Sequence, residues 1–189
     1  MLTQYREFVE SAPEELNVWA LLRKAPPLPF LPGDVHGKEV VVLVTFYVGG
    51  VAQGRKLIEP LRGFGDPHGE HIGVQPYTQW QKAFDPLLTP GARNYWKSHN
   101  FTKLSDGALD AMIEFAGKLP SAQCEIFLGL IAGAANRVPA NAMAYRHRAQ
   151  SSYSTYTGDG MRAQAMSGAL LGHARFSKPL PHMPQMVPT

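Results

Sequence analysis

The sequence predicts an α+β fold, a largely antiparallel sheet with helices on one face. EVVVLVTFYV (39–48) and CEIFLGLIAGA (124–134) are apolar and rich in β-branched or large aliphatic residues, as buried strands are. Ser105 stands just ahead of Leu109, Met112, Ile113 and Ala116, an N-cap before an apolar stripe at helical spacing. The elements run α-β-β-α-β-α-β-α-β, an order that combines a hairpin with longer connections.

Leu2, Tyr5, Phe8, Val9 and Ala12 make residues 2–12 a helix. LNVWALLRK (16–24) follows as a strand, and the proline-rich PPLPFLPG (26–33) stops it. Residues 39–48 are apolar on both faces and are expected to form a central strand. Past the GG pair, Val51, Leu57, Ile58, Leu61 and Phe64 share a helix face that Pro60 kinks. HIGVQPY (71–77) is read as a short strand and TQWQKAF (78–84) as a short helix capped by Thr78. NYWKSHNFTKL (94–104) is a strand, the helix after Ser105 follows, and 124–134 is a buried strand. No helix remains for the second face of the sheet, which a ligand, another domain or another subunit must shield.

With 189 residues, 44% hydrophobic and 17% charged, the chain is one globular domain rather than a disordered one. No apolar run approaches the roughly 20 residues of a membrane span, so no membrane partner is expected. MLTQYREFVE has no apolar core of a secretory signal. A single cysteine, Cys124, excludes an internal disulfide and a cysteine-based zinc site. It lies in an apolar run and is read as a buried, inert thiol, compatible with a cytoplasmic location. The net charge of +3 does not mark a nucleic-acid protein, because its excess sits in the tail. From Arg146 onward five basic residues face only Asp159, whereas the rest of the chain has 13 basic and 14 acidic residues.

DPHGEH (66–71) gathers Asp66, His68, Glu70 and His71, all of metal-ligand type, at a spacing that matches no fixed-geometry motif. A polar turn explains it, and no metal site is assigned. NYWKSHN (94–100) is an unusual strand: Asn94, Trp96, Ser98 and Asn100 alternate with Tyr95, Lys97 and His99, and neither set is plainly core. It is either a solvated edge or the wall of a polar pocket. Tyr95, Trp96, Lys97 and His99 are taken as substrate-facing candidates. AYRHR (144–148) is read as an exposed loop. GGVAQG (49–54) lacks GxGxxG spacing and is a turn opening a helix, so no cofactor-binding residue is assigned. No catalytic set is complete.

ELNVWALLRKAPPLPFLP, PLRGFGDPHGEHIG, PYTQWQKAFDPLLTPGARNYWKSH and LPSAQCEIFLG together closely resemble bacterial FAD-linked oxidases of the berberine-bridge-enzyme-like family. The resemblance runs from about Tyr5 to Arg148. It implies a substrate-binding region whose uncovered sheet face lies over the flavin of a separate FAD domain, with FAD as cofactor and a small molecule as substrate. That FAD domain would precede Met1, and the family's closing segment would follow Thr189. Where plant members carry a glutamate that can act as base, AGAANRV (132–138) places Arg137, so no base is carried over. YRHR (145–148) only approximates the family's Pro-His-Arg.

The resemblance stops at Arg148. With suitable synonymous codons, a frame shifted at Ala149 would restore a strand and an amphipathic helix, so the tail is read as a frameshift product, with a genuine disordered tail as the alternative. The expected organisation is a partial substrate-binding domain over 1–148 and an aberrant, disordered tail over 149–189. The expected function is a fragment of an FAD-dependent oxidoreductase, with molecular oxygen as re-oxidant, inactive alone. The alternative is a non-enzymatic ligand-binding or dimerisation module. Either way, an unpaired strand edge beside apolar surface predicts self-association.

Overall fold

The computed structural model describes residues 1–87, 90–91 and 94–145, and the backbone of 152–158. Helix α1 (Leu2–Ser11) leads into strands β1 (Leu16–Lys24) and β2 (Glu39–Tyr47), then helix α2 (Val51–Ile58). Helix α3 (Tyr77–Lys82), strand β3 (Lys97–Phe101), helix α4 (Asp106–Ala116), strand β4 (Glu125–Ile131), helix α5 (Ala134–Arg137) and strand β5 (Ser152–Gly158) complete the order. The sheet runs β2-β1-β4-β5-β3, and every pairing is antiparallel. The expected α+β fold is the one found.

Alternation along β1 and β4 builds the core. Leu16, Val18, Ala20 and Leu22 point to the same side as Ile126, Leu128 and Leu130, and all are buried. Leu2, Tyr5 and Val9 of α1 and Leu109, Met112 and Ala116 of α4 cover them. Tyr5 is fully buried, and its hydroxyl donates to the Val18 carbonyl at 2.9 Å, pinning α1 to β1. The Ser105 hydroxyl accepts from the Ala108 amide at 3.2 Å, the N-cap that starts α4. Arg6 locks that start to α1, donating to the Leu104 carbonyl at 2.8 Å and to Asp106 at 2.7 Å.

Several expectations are corrected. β2 is an edge strand, not a central one, because β1 pairs with β4 on its other side. Both its faces are apolar because Val41, Leu43 and Tyr47 pack on the core while Phe46 meets α3 on the opposite face. Residues 71–76 form no strand, and Ile72 and Val74 are exposed. α3 begins at Tyr77 behind Pro76, and Thr78 makes no cap. The helix expected through Phe64 ends at Ile58 and tightens into a 3-10 turn over Glu59–Gly63, where Pro60 has no amide to donate. Ile113 points to solvent rather than into the α4 stripe.

Ser152–Gly158, assigned to an aberrant segment, form strand β5 in the interior of the sheet. Their alternating Ser, Thr and Tyr are strand-compatible residues. The remainder of 149–189 lies outside the described residues.

Leu128→Ala, at a fully buried site, should cost about 2–5 kcal/mol. Tyr5→Phe should cost about 1 kcal/mol through the lost hydrogen bond. Urea unfolding midpoints at constant slope measure both; an unshifted midpoint for Leu128→Ala would contradict the core assignment.

Candidate functional site

The second face of the sheet carries Asn17, Trp19, Leu21 and Arg23 from β1 and, opposite them, Val40, Val42, Val44 and Phe46 from β2. β4 adds Glu125, Phe127, Gly129 and Ile131, and by register β3 adds Ser98 and Asn100 across the β5 backbone. This face divides into an aromatic half and a polar half.

The aromatic half is capped by α3, which revises the expectation that no helix covers this side. Trp80 sits 4.6 Å from Phe46 and 5.3 Å from Trp19, measured between ring centroids. Trp19 in turn meets Phe127 edge-on at 5.2 Å. Gly129 makes this possible: a Cβ there would stand 2.6 Å from the Phe127 ring. A larger residue would drive Phe127 off its neighbour.

The polar half lies toward β3. The Tyr145 hydroxyl donates to Asn100 Oδ1 at 2.8 Å, presenting a phenol and an amide at the sheet's far side. Trp96, more than half exposed, donates to Asn94 Oδ1 at 3.4 Å just ahead of β3. At one end of the face Arg23 donates to Glu125 at 2.7 Å, with side chains only 11% and 26% exposed. Burial pushes the Glu125 pKa up, and the Arg23 charge offsets this only in part.

The four sequence candidates do not share one surface. Lys97 and His99 project to the helix-covered side, where Phe101 packs on the core and His99 stacks edge-on against it at 4.7 Å. Tyr95 and Trp96 precede the strand and are exposed; Lys97 lies 5.7 Å from the Tyr95 ring. Ser98 and Asn100, of the alternative set, are the strand residues on the open face. The alternation was readable, but which parity faced the helices depended on pairing with β5, a strand the sequence reading did not contain.

Other motifs resolve into packing. Glu70 is held by two hydrogen bonds from Arg62, at 2.8 and 3.0 Å, which keep its carboxyl below the ordinary range. His71 stacks on Phe30 at 5.6 Å, so DPHGEH anchors the proline-rich loop. Cβ atoms at Gly49 and Gly54 would collide with the Tyr47 side chain, which accounts for the glycines of GGVAQG. Arg137 pairs with Glu14. Arg146, His147 and Arg148 lie outside the described residues, as does any side-chain account of β5.

Solved structures place this architecture. A BBE-like protein from Arabidopsis thaliana superposes with a TM-score of 0.65 at 14% identity, over 93% of this chain and 39% of its own. A chitooligosaccharide oxidase gives 0.59 at 17% identity, over 94% and 40%. A berberine bridge enzyme variant in complex with (S)-reticuline gives 0.59 at 13%, over 92% and 35%. The chain has the fold of one part of the berberine-bridge-enzyme-like proteins. It spans about two fifths of the length of these BBE-like structures. No protein-family model and no curated protein matches the sequence. Among the described residues no helix is long and apolar enough to cross a membrane, and no group of three His, Cys, Asp or Glu could hold a metal.

Arg23→Ala leaves a partly buried carboxylate without its partner and should cost about 1–3 kcal/mol at neutral pH, and less in acid, where Glu125 is neutral. Because the folded pKa of Glu125 is raised, its linked contribution is fully present below the ordinary carboxylate range and is lost as pH rises through the folded value. Glu125→Gln should therefore flatten the pH dependence of stability over that window. Urea titrations across pH check both; identical wild-type and Glu125→Gln profiles would contradict the assignment.

Proposed function

We propose that this chain is the substrate-side part of an FAD-dependent oxidoreductase, inactive without a separate flavin-binding domain. The likeness of nearly the whole chain to part of the BBE-like structures and of a chitooligosaccharide oxidase supports this reading. The open sheet face is the wall that meets a small-molecule substrate.

FAD makes two demands. Its phosphates call for backbone amides at a glycine-rich helix start; the turn at 49–54 instead spends its glycines on the Tyr47 ring, so these residues do not fit the nucleotide half. An aromatic surface with a few convergent polar groups suits the ring and substrate side, and Trp19, Phe127, Asn100 and Tyr145 supply it. A bound flavin would supply two-electron oxidation of the substrate, with molecular oxygen as the re-oxidant. The chain's own part is to exclude water with the Trp19–Phe127 surface and to orient substrate through Asn100 and Tyr145. Arg137, paired with Glu14, supplies no base. A reducing cytoplasm suits a chain whose single cysteine is buried.

The purified chain, incubated with FAD and desalted, should be colourless. Mixed with the flavin domain of a bacterial BBE-like oxidase, it should co-elute with stoichiometric flavin absorbance. Stoichiometric flavin on the chain alone, or no association in the mixture, would overturn the proposal.

A further inference from the structure

The two edges of the sheet are built differently. β3 is five residues long and carries an exposed Lys97, the usual protection of an edge against pairing. β2 has nine residues, an unbroken register with β1, no proline, and no charge after its first residue, Glu39. Among the described residues its backbone pairs with β1 alone. Val48 and Val51, both largely exposed, extend the apolar surface past its end.

We propose that β2 is a homodimer interface, in which two copies pair antiparallel about a two-fold axis through Leu43. The occupant is a second copy because the strand is complementary to itself in this register. Leu43 faces Leu43 of the partner copy, Val42 faces Val44, Val41 faces Thr45 and Val40 faces Phe46. The helix-side row, Val41, Leu43 and Thr45, joins the two cores, and the Val42 and Val44 row joins the two open faces. The only ionic group of the strand, Glu39, falls opposite Tyr47, so like charges do not meet. The two Glu39 carboxylates lie about 27 Å apart, well beyond a Debye length of roughly 10 Å. The result is a continuous ten-stranded sheet whose edges are the two Lys97-bearing strands. This inference is independent of the flavin assignment.

Val42 and Val44 lie on the open face and leave the helix-side core untouched, so charge can be placed there. In sedimentation velocity the wild type should run as a dimer. The double variants Val42→Lys/Val44→Lys and Val42→Glu/Val44→Glu should each run as monomers, because they set like charges opposite one another. Mixing the two variants should restore a dimer of one copy of each. Without any variant, the β2 amides should lose hydrogen-exchange protection on dilution while β4 amides keep theirs. A monomeric wild type, a dimer that survives the lysine pair, or β2 protection unchanged on dilution would overturn the proposal. Dissociation of the dimer by an added flavin domain would assign the edge to that domain and overturn it equally.

Discussion

Everything in this molecule hangs on the pairing of β1 with β4 and the burial of their alternate side chains under α1 and α4. Val18 and Leu128 are fully buried, and the Tyr5 hydroxyl ties the helix layer to the same strand. Because side chains alternate with period two, committing one parity to this core commits the other to the opposite face. A one-residue slip would bury Arg23 and Glu125 beneath the helices and expose Ile126 and Leu128. The open face, with its aromatic and polar halves, is thus a direct consequence of where the core lies.

That dependence separates what the sequence disclosed from what it withheld. α1, β1 and the Ser105 cap were legible because local pattern and tertiary role agree there. β2 read as central because apolarity on both faces is common to buried strands and to an edge strand covered by a helix on one side. The stretch 71–77 has strand-like residues but no partner ladder to join. β5 was hidden because Ser152–Gly158 lack a long apolar run and follow a break in the resemblance, yet pairing on both sides needs only backbone. The candidates of β3 split for the same reason: Lys97 and His99 follow one parity of the strand and Ser98 and Asn100 the other, and pairing with β5 fixes which parity lies on the open face.

The open face also shows how packing constraints and chemistry meet. Gly129 lets Phe127 lie against Trp19, and α3 closes that end with Trp80. Toward β3 the surface changes to the Asn100–Tyr145 pair, whose strand is hydrogen-bonded to the rest of the sheet through β5. Glycines at 49 and 54, which in another context cradle phosphate, here make room for one tyrosine ring. Residue type alone did not separate these uses; the neighbours did.

Strand β5 is the decisive element, since among the described residues β3 pairs with β5 alone and the polar half of the face joins the sheet through it. Amide hydrogen exchange of the 189-residue chain, followed peptide by peptide, is the direct measurement. The account predicts that Ser152–Gly158 exchange as slowly as Glu125–Ile131, both being interior strands paired on two sides. Exchange of Ser152–Gly158 at the rate of an unstructured chain, with β4 protected, would contradict it.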